Sequence, residues 1–160
     1  PGRCELRVVP DSLGARMTME TPLPMKLKIH PAETTTVELA ATPAAALSVC
    51  VTKYEFAGGN QLNATGELRA VGGQEGVTIE ITNGRETWRA QTDRTGAASF
   101  ERLPGGAWKL RVASSDLPAL YTIEAPERTL TLRPGESRAI AVRVVPQKRT
   151  LRLLDHGTIR

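Results

Sequence analysis

Aromatic side chains are scarce in this chain: two Trp, two Tyr and two Phe among 160 residues. Histidine is as rare, with His30 at the end of an alternating run and His156 near the C-terminus. Neither stands at motif spacing to a Cys, Ser or acid, and Gly-x-Ser-x-Gly and His-Glu-x-x-His are both missing. Two cysteines, Cys4 and Cys50, are too few for a disulfide scaffold or a zinc site. No apolar run approaches the roughly 20 residues of a membrane helix. The Gly-Gly pairs at 58–59, 72–73 and 105–106 are read as turns rather than phosphate cradles, because no helical pattern follows them. No secretory leader is visible and the chain starts at Pro1, so it reads as a piece of something longer. These shortages argue against catalysis, a metal, a cofactor and a membrane span.

Glycine and proline are plentiful instead, at 14 and 11 residues. That composition suits many short strands and turns, an all-β chain. Net charge is +4, but Lys and Arg are scattered on the outward parity of strands. A nucleic-acid binder gathers them on one element with aromatics for stacking. A solvated strand face that discourages edge pairing is the better reading, and no nucleic-acid partner is expected.

The stretch from Glu75 to Val112 organises the rest as four strands. Val77-Thr78-Ile79-Glu80-Ile81 alternates with period two. Asn83-Gly84 suits the two positive-φ positions of a type I′ hairpin turn. Trp88 and Ala90 then share an inward face. Asp93-Arg94-Thr95-Gly96 makes a second turn with Gly96 left-handed. Phe100 follows, and after Pro104-Gly105-Gly106 the residues Trp108, Leu110 and Val112 face inward. Toward the N-terminus, strands are expected near residues 1–9, Met17 to Glu20, Met25 to His30 and Thr34 to Ala40.

The order of elements recurs. Residues 1–8 lie over 105–112, Thr18-Met19-Glu20 over Thr122-Ile123-Glu124, and 27–34 over 130–137, at an offset of 103 or 104 residues. Val37, Leu39 and Pro43 then match Ile140, Val142 and Pro146. The period is that of one small β-sandwich. Residues 1–43 are expected to be the C-terminal half of one unit and 44–146 a complete unit. Residues 147–160 would be the first strand of a third, Leu151-Arg152-Leu153-Leu154 answering to Leu47-Ser48-Val49-Cys50. The half at 1–43 must pair with something outside it, pack on the complete unit, or sit in a larger assembly.

The expected core of the complete unit is Val77, Ile79, Ile81, Trp88, Phe100, Leu103, Trp108, Leu110, Val112, Ile123, Leu130, Leu132, Ile140 and Val142. Cys4 shares parity with Leu6 and Val8 and is expected to be buried. Cys50 lies opposite Leu47, Val49 and Val51, so a bridge between the two is disfavoured. Thr52 to Val71 is the loop-rich part. Tyr54, Phe56 and Asn60 within it are the candidate interaction surface, although a plain exposed loop also explains them. Asn63-Ala64-Thr65 matches a glycosylation acceptor and is read as loop.

These residues resemble a family. Gly76 to Ile81, Thr92-Asp93-Arg94-Thr95-Gly96 with Phe100, and Leu103-Pro104-Gly105-Gly106 through Trp108, Leu110 and Val112 are similar to the bacterial prealbumin-like modules: collagen-adhesin B-type repeats, SdrD B-like domains and carboxypeptidase regulatory-like domains. Leu132 to Ser137 adds the turn before the last strand. The resemblance covers 75–146, with a weaker echo in 1–43. It implies a seven-stranded Greek-key β-sandwich used as spacer, stalk or adhesin segment, without a cofactor. Some relatives crosslink Lys to Asn, but Lys53 finds no Asn in Arg138 to Val145; some bind calcium at an acidic turn, but the turn here offers only Asp93.

The expected function is a non-catalytic structural repeat of a large bacterial envelope or secreted protein, outside the cell, at its surface or in the periplasm. Its partners would be neighbouring domains and assembly proteins, or copies of itself in an oligomer or filament. The alternatives are a carbohydrate- or ligand-binding adhesion module, and an accessory domain of a hydrolase, outer-membrane usher or transporter.

Overall fold

In the computed structural model, which describes residues 2–14, 16–57 and 67–147, the alternating runs form thirteen strands among the described residues. The first four are short: β1 (Gly2–Leu6), β2 (Met17–Met19), β3 (Met25–Ile29) and β4 (Ala41–Pro43). Then come β5 (Ala45–Phe56), β6 (Leu68–Gly73), β7 (Thr78–Thr82), β8 (Thr87–Gln91) and β9 (Ala97–Leu103). The last are β10 (Gly106–Val112), β11 (Tyr121–Glu124), β12 (Glu127–Leu132) and β13 (Ser137–Pro146). Two 3₁₀ turns, Pro10–Leu13 and Ser114–Asp116, are the other regular elements described.

From Ala45 to Pro146 two sheets carry apolar residues at every second position. One is antiparallel in the order β12-β10-β7-β8. In the other, β11 pairs β13, β13 pairs β5, and both β6 and β9 pair β5. At twelve residues β5 is long enough for both: its start faces β9 and Thr52–Phe56 faces β6. Nine strands stand in this stretch where seven were expected, one of the two additional ones arising because β6 and β9 divide one edge of β5. β13 runs parallel to β5 in unbroken register from Ser137↔Ala46 to Val144↔Lys53.

The inward side chains meet as one core. Leu47, Val49 and Val51 of β5 pack with Ile79 and Ile81, Phe100, Trp108 and Leu110, Leu132, and Val142 and Val144. Trp108 is 1% exposed, and its indole nitrogen donates to the Pro104 carbonyl at 3.0 Å. Such a donor is satisfied locally, so burial of the ring costs little. Among the described residues Thr92 is the buried polar one: its hydroxyl accepts from the Val77 N–H at 2.9 Å and donates to the Gln74 carbonyl at 2.6 Å.

Two turns follow local chemistry. The hairpin turn lies one residue beyond the expected place. Asn83 and Glu86 close it, with Gly84 (φ 87°) and Arg85 at the tip. Asn83 keeps a negative φ because its Oδ1 accepts from the N–H groups of Arg85 and Glu86 at 2.9 and 2.8 Å. Gly96 is left-handed as expected, at φ 79°. It also lies so close to β5 that a Cβ there would meet the Val51 carbonyl oxygen at 2.2 Å.

Residues 2–43 form two separate ribbons, β1 with β3 and β2 with β4, both antiparallel. None of the described residues from 2 to 44 is buried. Cys4, expected in a core, is exposed on β1 opposite Leu27, because no second layer covers that face among the described residues. Both cysteines are free. The strand expected at Thr34 to Ala40 is reduced to Ala41–Pro43, since no neighbour pairs with the earlier residues. The ribbon meets the sandwich where the Gly135 N–H donates to the Pro43 carbonyl at 3.0 Å.

Two further expectations change. Trp88 lies opposite Ile81 but remains 40% exposed, because β8 is the outer strand of its sheet. Ile140 packs against the core without being fully buried. Gly58-Gly59, Asn60, Asn63-Ala64-Thr65, His156 and the strand expected within 147–160 lie outside the described residues, apart from Gln147.

Candidate functional site

β5 outlasts the core it helps to build. Ala45, Leu47, Val49 and Val51 are buried inward positions, and the next two of that parity are Lys53 and Glu55. The sandwich therefore ends on charge at this pole. Thr52 to Phe56, expected as part of a loop-rich segment, is strand, and so is Leu68 to Val71 on β6. The register shifts between Lys53 and Tyr54, which gives β6 one residue more than β5 there.

Of the expected surface residues, Tyr54 and Phe56 share one face of β5 and both are half-buried. Asn60, the third of them, lies outside the described residues. The Tyr54 ring lies under the Arg143 guanidinium, 4.3 Å from its centroid. Arg143 reaches from β13 and also pairs with Glu124 of β11, Nη1 to Oε2 at 3.2 Å. The tyrosine face is thus already covered by a cation.

On the inward side the same strand end carries a second group. The Lys53 Nζ lies 3.0 Å from Glu55 Oε1 and 4.7 Å from the centroid of the Tyr121 ring. The Tyr121 hydroxyl donates to the same Glu55 oxygen at 3.3 Å. The hydrogen bond to Glu55 raises the Lys53 ammonium above its ordinary value against the lowering effect of burial. The hydrogen bond from Lys53 holds the Glu55 carboxyl below its ordinary value. The pair is half-open to water, so its worth is modest.

Glu55, Tyr121, Glu124 and Arg143 escape a reading of the sequence because three strands bring them together. One signal was available: Arg143 is a charge within the otherwise apolar run Ile140 to Pro146. The cluster joins cations, carboxylates and aromatic rings across β11, β13 and β5 and ties the three strands together, although the buried Arg143 Nε has no hydrogen-bond partner. Asp93, the acidic turn residue, spends its Oδ1 on Thr95 Oγ1 at 2.6 Å and on the Thr95 and Ala97 N–H groups at 2.8 and 3.0 Å. These bonds, that from the Thr95 side chain first, hold its carboxyl below the ordinary value. His30 is exposed at the end of β3.

A shallow apolar depression lies on the outer face of β13, β5 and β9, lined by Ala46, Ser48, Ser99, Glu101, Arg138 and Ala139 among others. It is at the opposite end of β5 from Tyr54. Among the described residues no group of three His, Cys, Asp or Glu could hold a metal ion. No helix there is long and apolar enough to cross a membrane.

No protein-family model matches the chain, and no curated protein matches it. Solved structures do. A Bacillus anthracis protein described as the TIE protein is 16% identical at a TM-score of 0.47, over 64% of this chain and 16% of its own. The major pilin subunit BcpA of Bacillus cereus is 8% identical at 0.42, over 70% and 33%. GBS52, the minor pilin of the Gram-positive pathogen Streptococcus agalactiae, is 11% identical at 0.50, over 82% of this chain and 62% of the pilin. The chain thus spans less than two thirds of the length of each. At such identity it is the fold that is alike: this chain is built, like that minor pilin, of packed β-sheets.

Proposed function

We propose that the chain is a non-catalytic structural segment of a bacterial cell-surface protein, made of Greek-key sandwich units set in a row. Residues 1–43 are the C-terminal half of one unit, 44–146 a complete unit, and 147–160 the start of the next. The observation that carries this reading is the parallel pairing of β5 with β13. Parallel first and last strands put the entrance at Ala45 and the exit at Pro146 at opposite poles, about 30 Å apart for a ten-residue strand. Such a unit extends a stalk rather than doubling back. The fold likeness to a minor pilin supports a surface-fibre setting. Partners are then adjacent units and assembly proteins, and the cluster of Lys53, Glu55, Tyr121, Tyr54 and Arg143 stiffens the exit pole.

A ligand-binding role asks for an open aromatic platform. The Arg143 guanidinium on the Tyr54 ring counts against it.

Pulling single molecules by their two ends tests the spacer reading. The paired strands are loaded along their length, with all rungs sharing the force. The expected outcome is one abrupt event that releases on the order of 300 Å of chain, the extended length of a unit of about a hundred residues less its folded span. Gradual lengthening without a discrete event would overturn the reading.

A further inference from the structure

The complete unit shows what residues 2–43 lack. In β1 and β3, Gly2 faces Ile29, Cys4 faces Leu27 and Leu6 faces Met25. In β10 and β12, Gly106 faces Leu132, Trp108 faces Leu130 and Leu110 faces Arg128. At offsets of 104 and 103 residues these are the same pairs. The agreement extends to β2 with β4 and β11 with β13. Met17↔Pro43, Thr18↔Thr42 and Met19↔Ala41 repeat as Tyr121↔Pro146, Thr122↔Val145 and Ile123↔Val144. Ala32 (φ 62°) sits where Gly135 (φ 75°) does, and in both turns a glutamate N–H donates three residues back, Glu33 to His30 and Glu136 to Arg133. Both ribbons also close alike, with the Ala44 N–H on the Arg16 carbonyl and the Gln147 N–H on that of Leu120, each at 2.7 Å.

The two differ in what lies beside them. β10 has a further neighbour in β7, antiparallel from Lys109↔Thr82 to Val112↔Ile79, and β13 has β5. β1 and β4 have no such neighbours among the described residues. The side chains respond accordingly. Trp108, Leu132 and Val142 are buried, whereas their counterparts Cys4, Ile29 and Leu39 are exposed, the last two at 41% and 39%.

We infer that residues 2–43 are an acceptor surface for a half-sandwich patterned like residues 44–104. One strand of it would run parallel to residues 34–41, the counterparts of Ser137–Val144, as β5 does to β13, and another antiparallel to β1, as β7 does to β10. Its apolar face would cover Cys4, Leu6, Leu27, Ile29 and Leu39. The two open edges belong to different sheets, so one added strand cannot fill both. A second copy of this chain does not suit the place, because its β5 and β7 are already paired with its own β13 and β10. The inference rests on the repeat reading above but not on the stalk role, so discrete rupture under load and coverage of Cys4 fail separately.

The test joins a copy of residues 44–104 directly ahead of Pro1 in the full chain and reads thiol labelling residue by residue by mass spectrometry. Cys4 is expected to label at least about tenfold more slowly than in the unextended chain, while Cys50 on the outer sheet face keeps its rate. Because the added half is shaped to meet a tryptophan, Cys4→Trp is made in both chains. Its indole emission is expected to shift to the blue only in the extended one. Cys4 labelling at an unchanged rate in the extended chain, together with a Cys4→Trp indole that emits as in water, overturns the assignment. So does concentration-dependent protection of Cys4 in the unextended chain accompanied by dimer in sedimentation, because a second copy would then be the cover.

Discussion

Residues 2–43 and residues 106–146 hold the same strand pairs in the same register, yet only the second set has a core. The comparison separates two things that are usually formed together. Register follows from local matters: alternation along each strand, the positive-φ turn at Ala32 or Gly135, and the short 3₁₀ connection. Burial comes only from a second layer, and isolated two-stranded ribbons have little stability of their own. Residues 106–146 share their core with β5, β7 and β9, and the N-terminal ribbons have no such layer among the described residues.

The sharpest way to break the comparison is at its most unequal pair, Cys4 and Trp108. Trp108→Ala removes a ring that is 1% exposed and leaves a cavity, at an expected cost of about 3–5 kcal/mol in denaturant melts. A melting curve unchanged by it would deny the unit its core. Gly96→Ala should cost at least about 2 kcal/mol, from the positive φ and the overlap with the Val51 carbonyl together. Its contrast is Gly14→Ala, also at positive φ but with nothing within 4 Å, which should leave the main transition in place. Thr92→Val strands the Val77 N–H in the interior and takes the donor from the half-buried Gln74 carbonyl, and about 1–3 kcal/mol should be lost by the same measurement.

Acid tests the sandwich more gently. Asp93 is held low by Thr95 and Ala97, and Asp116 by Thr78, whose N–H it accepts at 3.0 Å. A depressed carboxyl contributes stability that is complete above its unfolded value near ~3.9 and is lost as pH falls through the folded value. The sandwich should therefore weaken below about pH 4, and Asp93→Asn should flatten that fall in thermal melts recorded against pH. The smallest effect belongs to Cys4→Ala, expected within about 0.5 kcal/mol of the parent, since the thiol supports nothing in the unextended chain.

The same division explains what was legible in the sequence. Strands between Glu75 and Val112 were plain because Val77, Ile79, Ile81, Trp108, Leu110 and Val112 alternate without interruption and turn residues separate the runs. Parity tells which side of a ribbon is apolar, but not whether anything lies over it. Cys4 and Trp88 both have inward parity and both are exposed, one for want of a layer and the other at a sheet margin. The hairpin turn moved because the Asn83 side chain bonds to the backbone instead of letting the residue turn left-handed. At the candidate site, Tyr54 and Phe56 were visible as aromatics. Their strand setting was obscured by the glycine-rich residues after them. The partners Arg143, Glu124 and Tyr121 come from strands more than sixty positions away in sequence, a distance over which alternation carries no information.

The margin formed by β12 and β13 also has a consequence for how such molecules crowd together. Arg128 donates from its guanidinium to the Ala141 carbonyl at 3.2 Å, and Arg138 to that of Thr131 at 3.1 Å. Each arginine thus crosses from one sheet to a main-chain oxygen of the other, where a foreign backbone would otherwise dock. Stitched shut in this way, that flank offers neighbouring molecules no open run of main-chain groups and resists sideways clumping.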